Sequence, residues 1–365
     1  MKKLLLVIVT LTTLFSCATT KKIDESNLKL RYLDDVVIPQ NLEIDGTKVG
    51  GLSGIDYHEG NYYLVCDQPS NPRIYKAEIP LINRSIDTVL LTKVIKLNKE
   101  EDFYKKHTPD LEGIRFDAES GTMVVSAEGS IQNSKDPSVF QISTEGEFIS
   151  AYKIPKYFEA SGEQKPRNNG VFEGIAESFD KSGYWVAMEL PLEKDGPKPK
   201  IYPTNSPIRI TKFNKESQSA ESQFTYKLDG ISKLPINWFA VNGVTEILEY
   251  AEDRFLVLER AYSAGYGSNG NTVKIFDVDA SKATNTLEME NLSKNNYKNA
   301  EKRLVFDFKS VKKFLTKETI DNIEGMTFGP DLPNGKKSLI LVSDDNFSSF
   351  SEQITQFILL ELEIN

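Results

Sequence analysis

Asp110-Leu111-Glu112-Gly113-Ile114, a polar turn, and then Ser126-Ala127-Glu128 set out a plan that returns four more times along the chain. Each copy is a short strand opening on a Gly-containing turn, a polar turn, and an apolar strand ending in an acid. The other copies run from Gly51-Leu52-Ser53-Gly54-Ile55 to Val65-Cys66-Asp67 and from Phe172-Glu173-Gly174-Ile175 to Ala187-Met188-Glu189. Gly243-Val244-Thr245-Glu246-Ile247 to Val257-Leu258-Glu259 lacks the Glu-Gly pair, and Ile323-Glu324-Gly325-Met326 to Leu341-Val342-Ser343-Asp344 closes the series. A third strand is expected after each pair: Arg73 to Ile79, Val139 to Ile142, Ile208 to Phe213, Thr272 to Val278 and Gln356 to Glu363. A fourth follows in four copies, over Val89 to Leu97, Phe148 to Ile154, Gln223 to Leu228 and Arg303 to Phe308.

The fifth copy runs out of chain after its third strand, and the orphan strand Leu28 to Ile38 can complete it. Repeated four-stranded units that bury their faces against one another, closed by strands from both termini, are the signature of an all-β propeller. One such ring accounts for residues 28–365 as a single domain. Five repeats are visible. The Lys/Asn-rich stretch Ser281 to Asp321 reads as a loop, one strand and a short helix around Val311 to Leu315, or as a sixth, degenerate blade, so the pattern allows five or six.

In a hairpin of equal arms, the first residue of one strand and the last of the next return to the same edge. Glu112 is therefore expected beside Glu128, Glu173 beside Glu189, Ser53 beside Asp67, Thr245 beside Glu259 and Glu324 beside Asp344. With the opening strands lining the central channel, all five pairs would surround one mouth. Carboxylates gathered there repel one another unless protonated or bridged by a cation. Calcium, a hard ion taking six to eight oxygen ligands, is the natural bridge. The expected metal set is Asp67, Glu112, Glu128, Glu173, Glu189, Glu324 and Asp344. Arg260, directly after Glu259, and Arg167, before the third opening, are the basic residues placed to meet an anionic substrate. The alternative for every acid is a strand-end role without a ligand, and for Arg260 a salt bridge to a neighbouring blade. The Gly-rich stretch Ser263 to Gly270 reads as a loop over the mouth.

Composition narrows the classes. The chain has 365 residues with 44 Lys and Arg, 53 Asp and Glu, a net charge of −9, two His and two Cys. The acidic balance argues against nucleic acid, whose phosphates need clustered positive charge. Two histidines leave little for a His-rich zinc site or a Ser/His/Asp triad. No Gly-x-Ser-x-Gly elbow, His-Glu-x-x-His or phosphate loop occurs, and Gly265-Tyr266-Gly267-Ser268-Asn269-Gly270 links two strands instead of opening a helix, so it does not read as a dinucleotide fingerprint. Residues 1–16 read as a signal peptide: Lys2 and Lys3, an apolar run from Leu4 to Phe15, and Ser16 before Cys17. Leu14-Phe15-Ser16-Cys17 resembles a bacterial lipobox, which makes Cys17 the expected lipidation site and residues 17–27 a tether. The expected protein is an exported monomer, lipid-anchored in the bacterial cell envelope. Cys66, left without a disulfide partner, is expected as a buried apolar residue.

At these motifs the chain resembles the phytase-like, "esterase-like activity of phytase", domain family of exported bacterial proteins. The matching stretches are Asp110-Leu111-Glu112-Gly113-Ile114, Asn169-Gly170 leading to Phe172-Glu173-Gly174-Ile175, Leu256-Val257-Leu258-Glu259-Arg260, and Ile323-Glu324-Gly325-Met326 with Ser343-Asp344-Asp345-Asn346-Phe347. The resemblance covers about Leu30 to Glu363. The resemblance implies a propeller-like fold and a hydrolase acting on ester or phosphoester bonds. Calcium dependence follows by analogy with β-propeller phytases, whose motifs find no residue-by-residue match here. On this reading Glu173 and Glu259 would act in catalysis with Arg260 and Arg167, the other acids would hold calcium, and the partner is an anionic ester or phosphoester. A non-enzymatic propeller binding a glycan, peptide or protein, and a lactonase-type metal hydrolase, are the alternatives.

Overall fold

A computed structural model describes residues 28–348 and 353–364. Alternating apolar side chains and tight polar turns build five four-stranded antiparallel sheets, each ordered from an inner to an outer strand. Blade 1 comprises Leu52–His58, Asn61–Cys66, Arg73–Glu78 and Leu90–Lys96; blade 2, Leu111–Asp117, Thr122–Ala127, Ser138–Ile142 and Phe148–Ala151. Blade 3 comprises Phe172–Glu177, Gly183–Met188, Pro207–Asn214 and Ser219–Lys227; blade 4, Ala240–Ala251, Arg254–Ser263, Asn271–Asp279 and Glu301–Asp307. Blade 5 takes Asn322–Phe328, Lys337–Asp344 and Gln356–Ile364 from the C-terminal end, and Leu28–Val37 pairs antiparallel with Gln356–Ile364 as its outer strand. Each inner strand packs against the inner strands of the two adjacent blades, and blade 5 returns to blade 1. The ring therefore has five blades, locked by its N-terminal strand. Residues 281–321 hold one strand and a string of short 3₁₀ turns, not a sixth blade and not a continuous helix. Cys17 and the tether lie outside the described residues; among the described residues no helix is long and apolar enough to cross a membrane.

The blade faces supply the core. Four buried apolar clusters fill the ring, and all four join side chains of neighbouring blades, such as Val65, Ile74, Ile114 and Val125 between blades 1 and 2. Cys66 is buried among the apolar residues of blade 1, and its thiol contacts the Gly50 carbonyl at 3.2 Å. Burial pushes that thiol's pKa up, which keeps it an inert packing group.

On the axis the inner strands come close enough to exclude side chains. A Cβ on Gly54 would lie 2.4 Å from the Glu112 carbonyl oxygen, and one on Gly174 would lie 2.5 Å from the Glu246 Cα. These contacts explain why glycine follows the opening residue in four repeats. The fourth repeat places Glu246 there instead, and its carboxylate meets Arg115 at 3.1 Å. Arg115 is 3% exposed and donates to the carbonyls of Ile55, Ile114, Ile247 and Met326, on four different inner strands. The pair closes the axis beneath the mouth. Gly54→Ala is expected to lower unfolding free energy by about 2 kcal/mol or more, because backbone atoms face the added methyl. Denaturant unfolding measures this, and an unchanged midpoint would mean that the strands can move apart at no cost.

Candidate active site

The ladder between the inner and second strands slips at the same level in every blade. Leu52 pairs with Cys66 but Gly54 with Val65; Leu111 pairs with Ala127 but Gly113 with Ser126. The same step separates Phe172/Met188 from Ile175/Val186, Val244/Glu259 from Glu246/Leu258, and Ile323/Ser343 from Gly325/Val342. The extra residue at the five bulges is Ser53, Glu112, Glu173 (with Gly174), Thr245 and Glu324. A β-bulge turns its extra side chain out of the regular alternation. Here it turns Glu112, Glu173 and Glu324 into the mouth, while the second strands bring up Asp67, Glu128, Glu189 and Asp344 as they end.

All seven acids of the expected metal set line one bowl of about 370 Å³. One carboxylate oxygen each from Asp110, Glu112 and Glu128 lie within 4.8 Å of one another, as do those of Glu128, Glu173 and Glu189, so Glu128 belongs to both groups. Glu128 also accepts from the Gly170 and Val171 amides at 2.6 and 3.0 Å, which fixes its position. Across the bowl, Asn322 donates to Glu324 at 2.9 Å and to Asp344 at 3.4 Å. Among the described residues the bowl has two cations, Lys198 and Arg260. Arg260 donates to Glu324 at 2.7 Å and stands 3.7 Å from Glu189. A larger groove of about 680 Å³ lies on the flank between the outer strands of blades 4 and 5, but Asp307 is its one acid. The bowl is the place where chemistry concentrates.

The electrostatics follow from burial with like charges. Burial first, then neighbouring carboxylates, hold Glu112, Glu173 and Asp344 well above the ordinary carboxyl range. The same causes raise Asp67 and Asp110 to about 7 and Glu128 to about 8. Glu189 and Glu324 are also raised by burial, although Arg260 opposes the shift. Burial works against the charge of Arg260, but Glu324, Glu189, Glu173 and Asp344 more than offset it and hold its pKa up. A site with seven carboxylates and two cations must take up protons or a cation near neutral pH. Its donors are all hard oxygens on a fixed scaffold, the ligand chemistry of calcium or magnesium.

Two expectations are corrected. Glu259 does not line the bowl. It is 2% exposed and its carboxylate is taken up at the boundary of blades 3 and 4 by Tyr226, by Asn242 at 2.6 Å and by Lys302 at 2.7 Å. The register explains this: Glu259 pairs with Val244 within the ladder, and its bulge partner Thr245 is a buried residue, not an acid. Arg167 does not line the bowl either; it donates to the carbonyls of Pro191 and Gly196, bracing that loop. Ser53 likewise serves the fold, bonding the Leu111 carbonyl at 2.8 Å. Conversely, Asp110 and the lining residues Asn169 and Lys198 were not singled out as site residues. Asp110 had a signal, since it directly precedes the opening strand of blade 2. Lys198 sits in a long connection with no repeat counterpart, which left none.

Fold and site together define a five-bladed β-propeller with an acid-lined mouth. The model of the phytase-like family, described as esterase-like activity of phytase, matches residues 47–347, and the chain belongs to that family. No curated protein matches it. Solved structures of similar shape include the GH43 endo-arabinanase from Bacillus licheniformis, at 14% identity over 86% of this chain and 95% of that one, with a TM-score of 0.39. The major Malassezia sympodialis allergen Mala s 1 gives 11% identity, 87% and 82% coverage and a TM-score of 0.43. An endo-1,4-beta-xylanase from Bacteroides thetaiotaomicron gives 9%, 85% and 90%, and 0.45. Likenesses this distant carry no argument about chemistry.

The bowl predicts an unusual pH response. Carboxyl groups whose folded pKa is raised bind more protons in the folded than in the unfolded chain, so their stability contribution is complete at low pH and is lost as pH rises through the folded pKa. In chelator, the unfolding midpoint should fall between about pH 4 and about pH 8. Saturating divalent cation should flatten that slope. Thermal unfolding across pH measures both, and a slope unaffected by cation would make the acids purely structural.

Proposed function

We propose that the protein is an exported hydrolase that cleaves a phosphoester at the acidic bowl with bound calcium. The observation that carries this reading is the imbalance of seven convergent carboxylates and two cations in one concave, buried site of a phytase-like propeller. Asp67, Asp110, Glu112, Glu128, Glu189 and Asp344 would hold calcium; Asp110 and Glu112 group with Glu128, as do Glu173 and Glu189, while Asp67 and Asp344 line the same bowl. When bound, the ion supplies positive charge for the substrate anion and makes water more acidic.

The chain's own groups do the rest. Arg260, held on the bowl wall by Glu324, presents its guanidinium to the phosphoryl oxygens and orients the ester. Glu173, grouped with Glu128 and Glu189, takes the proton from the water that attacks phosphorus as the bond to the alcohol oxygen breaks. The leaving alcohol oxygen takes up a proton from solvent, the phosphate remains against Arg260, and Glu173 returns the proton it took to solvent. Cys17 would anchor the exported protein by lipid to the bacterial cell envelope.

Glu173→Gln tests the assignment twice. It should reduce calcium-dependent phosphomonoester turnover by at least about 100-fold while the protein stays folded. In chelator at pH 8 it should raise the unfolding midpoint, because one member of a mutually repelling set has become neutral, and it should shrink the calcium-induced rise in midpoint. Turnover by the variant equal to that of the parent, or lactone cleavage with no phosphoester cleavage, would overturn the proposal. Calcium binding with no turnover of any ester would assign the bowl to ligand binding.

A further inference from the structure

A second cavity of about 520 Å³ adjoins the bowl and shares a wall with it. Arg260, Glu324, Phe239 and Val241 line both spaces. Beyond that wall the character changes. Tyr262 joins Phe239 and Val241, five side-chain amides (Asn169, Asn271, Asn322, Asn346 and Gln353) share the lining, and Arg260 and Glu324, already paired with each other, are its only charged residues among those described. Arg260 also has a buried Nε without a hydrogen-bond partner, on the boundary between the two spaces.

Above this cavity stands an apolar lip. Leu234, Ile236, Trp238 and Phe239 are 66%, 59%, 97% and 57% exposed. A contiguous exposed patch of this kind marks a binding surface more often than a structural one. Its backbone is held in place: the Ile236 amide donates to the Ala264 carbonyl at 2.9 Å, the Ala264 amide donates to the Phe239 carbonyl at 2.9 Å, and Tyr266 donates to the Leu234 carbonyl at 3.0 Å. Trp238 has a left-handed φ of 60°, a conformation that a bulky residue adopts only when its surroundings impose it. These bonds fix the backbone of the lip, and Phe239 at its end lines both cavities.

We propose that the substrate is a monoester with an apolar, aryl-like organic group, whose anion sits at Arg260 and whose ring lies against Phe239, Val241 and Tyr262 beneath the lip. This rests on the reading of the bowl as the anion site and names the class of substrate it takes. One feature disfavours a polyol carrying many phosphates as the fitting ligand: beyond Arg260 the adjoining cavity adds no cation for further phosphates, only neutral side chains and Glu324. The space next to Arg260 offers aromatic faces instead of further cations, and these gain by burying an apolar ring.

Isothermal titration calorimetry of the full chain with saturating calcium separates the cases, with phenylphosphonate, methylphosphonate and inositol hexakisphosphate as probes. Phenylphosphonate should bind at least about 10-fold more tightly than methylphosphonate, as burial of a ring allows. Phe239→Ala, at a half-exposed position, should bring the ratio to within about twofold. Equal affinities for the aryl and methyl probes, or tighter binding of the hexakisphosphate, would overturn the proposal and leave the bowl as an anion site. Binding of the neutral probe benzyl alcohol, lost in Phe239→Ala, with no binding of either phosphonate would overturn the anion site and the proposal together. Sedimentation of the chain with phosphatidylglycerol vesicles, or concentration-dependent dimerisation, abolished by Trp238→Ser in either case, would assign the lip to a lipid surface or a second copy and likewise overturn it.

Discussion

Five inner strands packed round one buried arginine are the constraint on which the rest of the molecule depends. Arg115 gives hydrogen bonds to carbonyls of four of them and is neutralised by Glu246 from the blade that lacks the axial glycine. Removing one partner of such a buried pair leaves an uncompensated charge and is strongly destabilising. The close approach that this plug requires is permitted by glycines at 54, 113, 174 and 325. The same crowding accompanies the bulge one position earlier, and the bulges aim the acids. Channel packing and site geometry are one feature of the backbone.

The site is built at the expense of the folded state. Buried carboxylates this close cannot all ionise, and the raised pKa values of Asp67, Asp110 and Glu128 record that conflict. Elsewhere the protein resolves such conflicts: Asp195 is buried against Arg209 at 2.7 Å, and Glu259 is surrounded by Tyr226, Asn242 and Lys302. The bowl is left with far fewer cations than acids. A strained group of charges, kept in a concave mouth by a rigid ring, is what a cation-dependent site requires. The family gives the expectation of ester chemistry, and the proposed function assigns it to the place where charge is unbalanced.

Much of this was legible in the linear order of residues, because a propeller repeats itself. Opening Glu-Gly pairs and closing acids recur at the two ends of equal-armed hairpins, so Glu112 and Glu128 could be placed together, as could Glu173 and Glu189, without coordinates. The expectation failed at Glu259, which departs from the repeat: it pairs with Val244 as Ala127 pairs with Leu111 and Met188 with Phe172, so Arg260, not Glu259, holds the place of the closing acid. Tyr226 and Lys302, from outer strands far off in sequence, take up its carboxylate. Arg167 failed for a related reason, since the loop carbonyls it braces belong to an irregular insertion without a repeat counterpart.

The sequence alone determined the all-β ring, the closure of its last blade by the N-terminal strand, and the gathering of acids at one edge. All three follow from periodicity and from the alternation of strands and turns, which are local properties. Tertiary structure decided that the blades number five, that Arg115 and Glu246 plug the axis, that Glu259 and Arg167 stand outside the bowl, and that a cavity walled in part by Phe239 and Tyr262 adjoins Arg260. These depend on contacts between residues tens to hundreds of positions apart, where side-chain partners are chosen by packing geometry and charge, not by spacing along the chain.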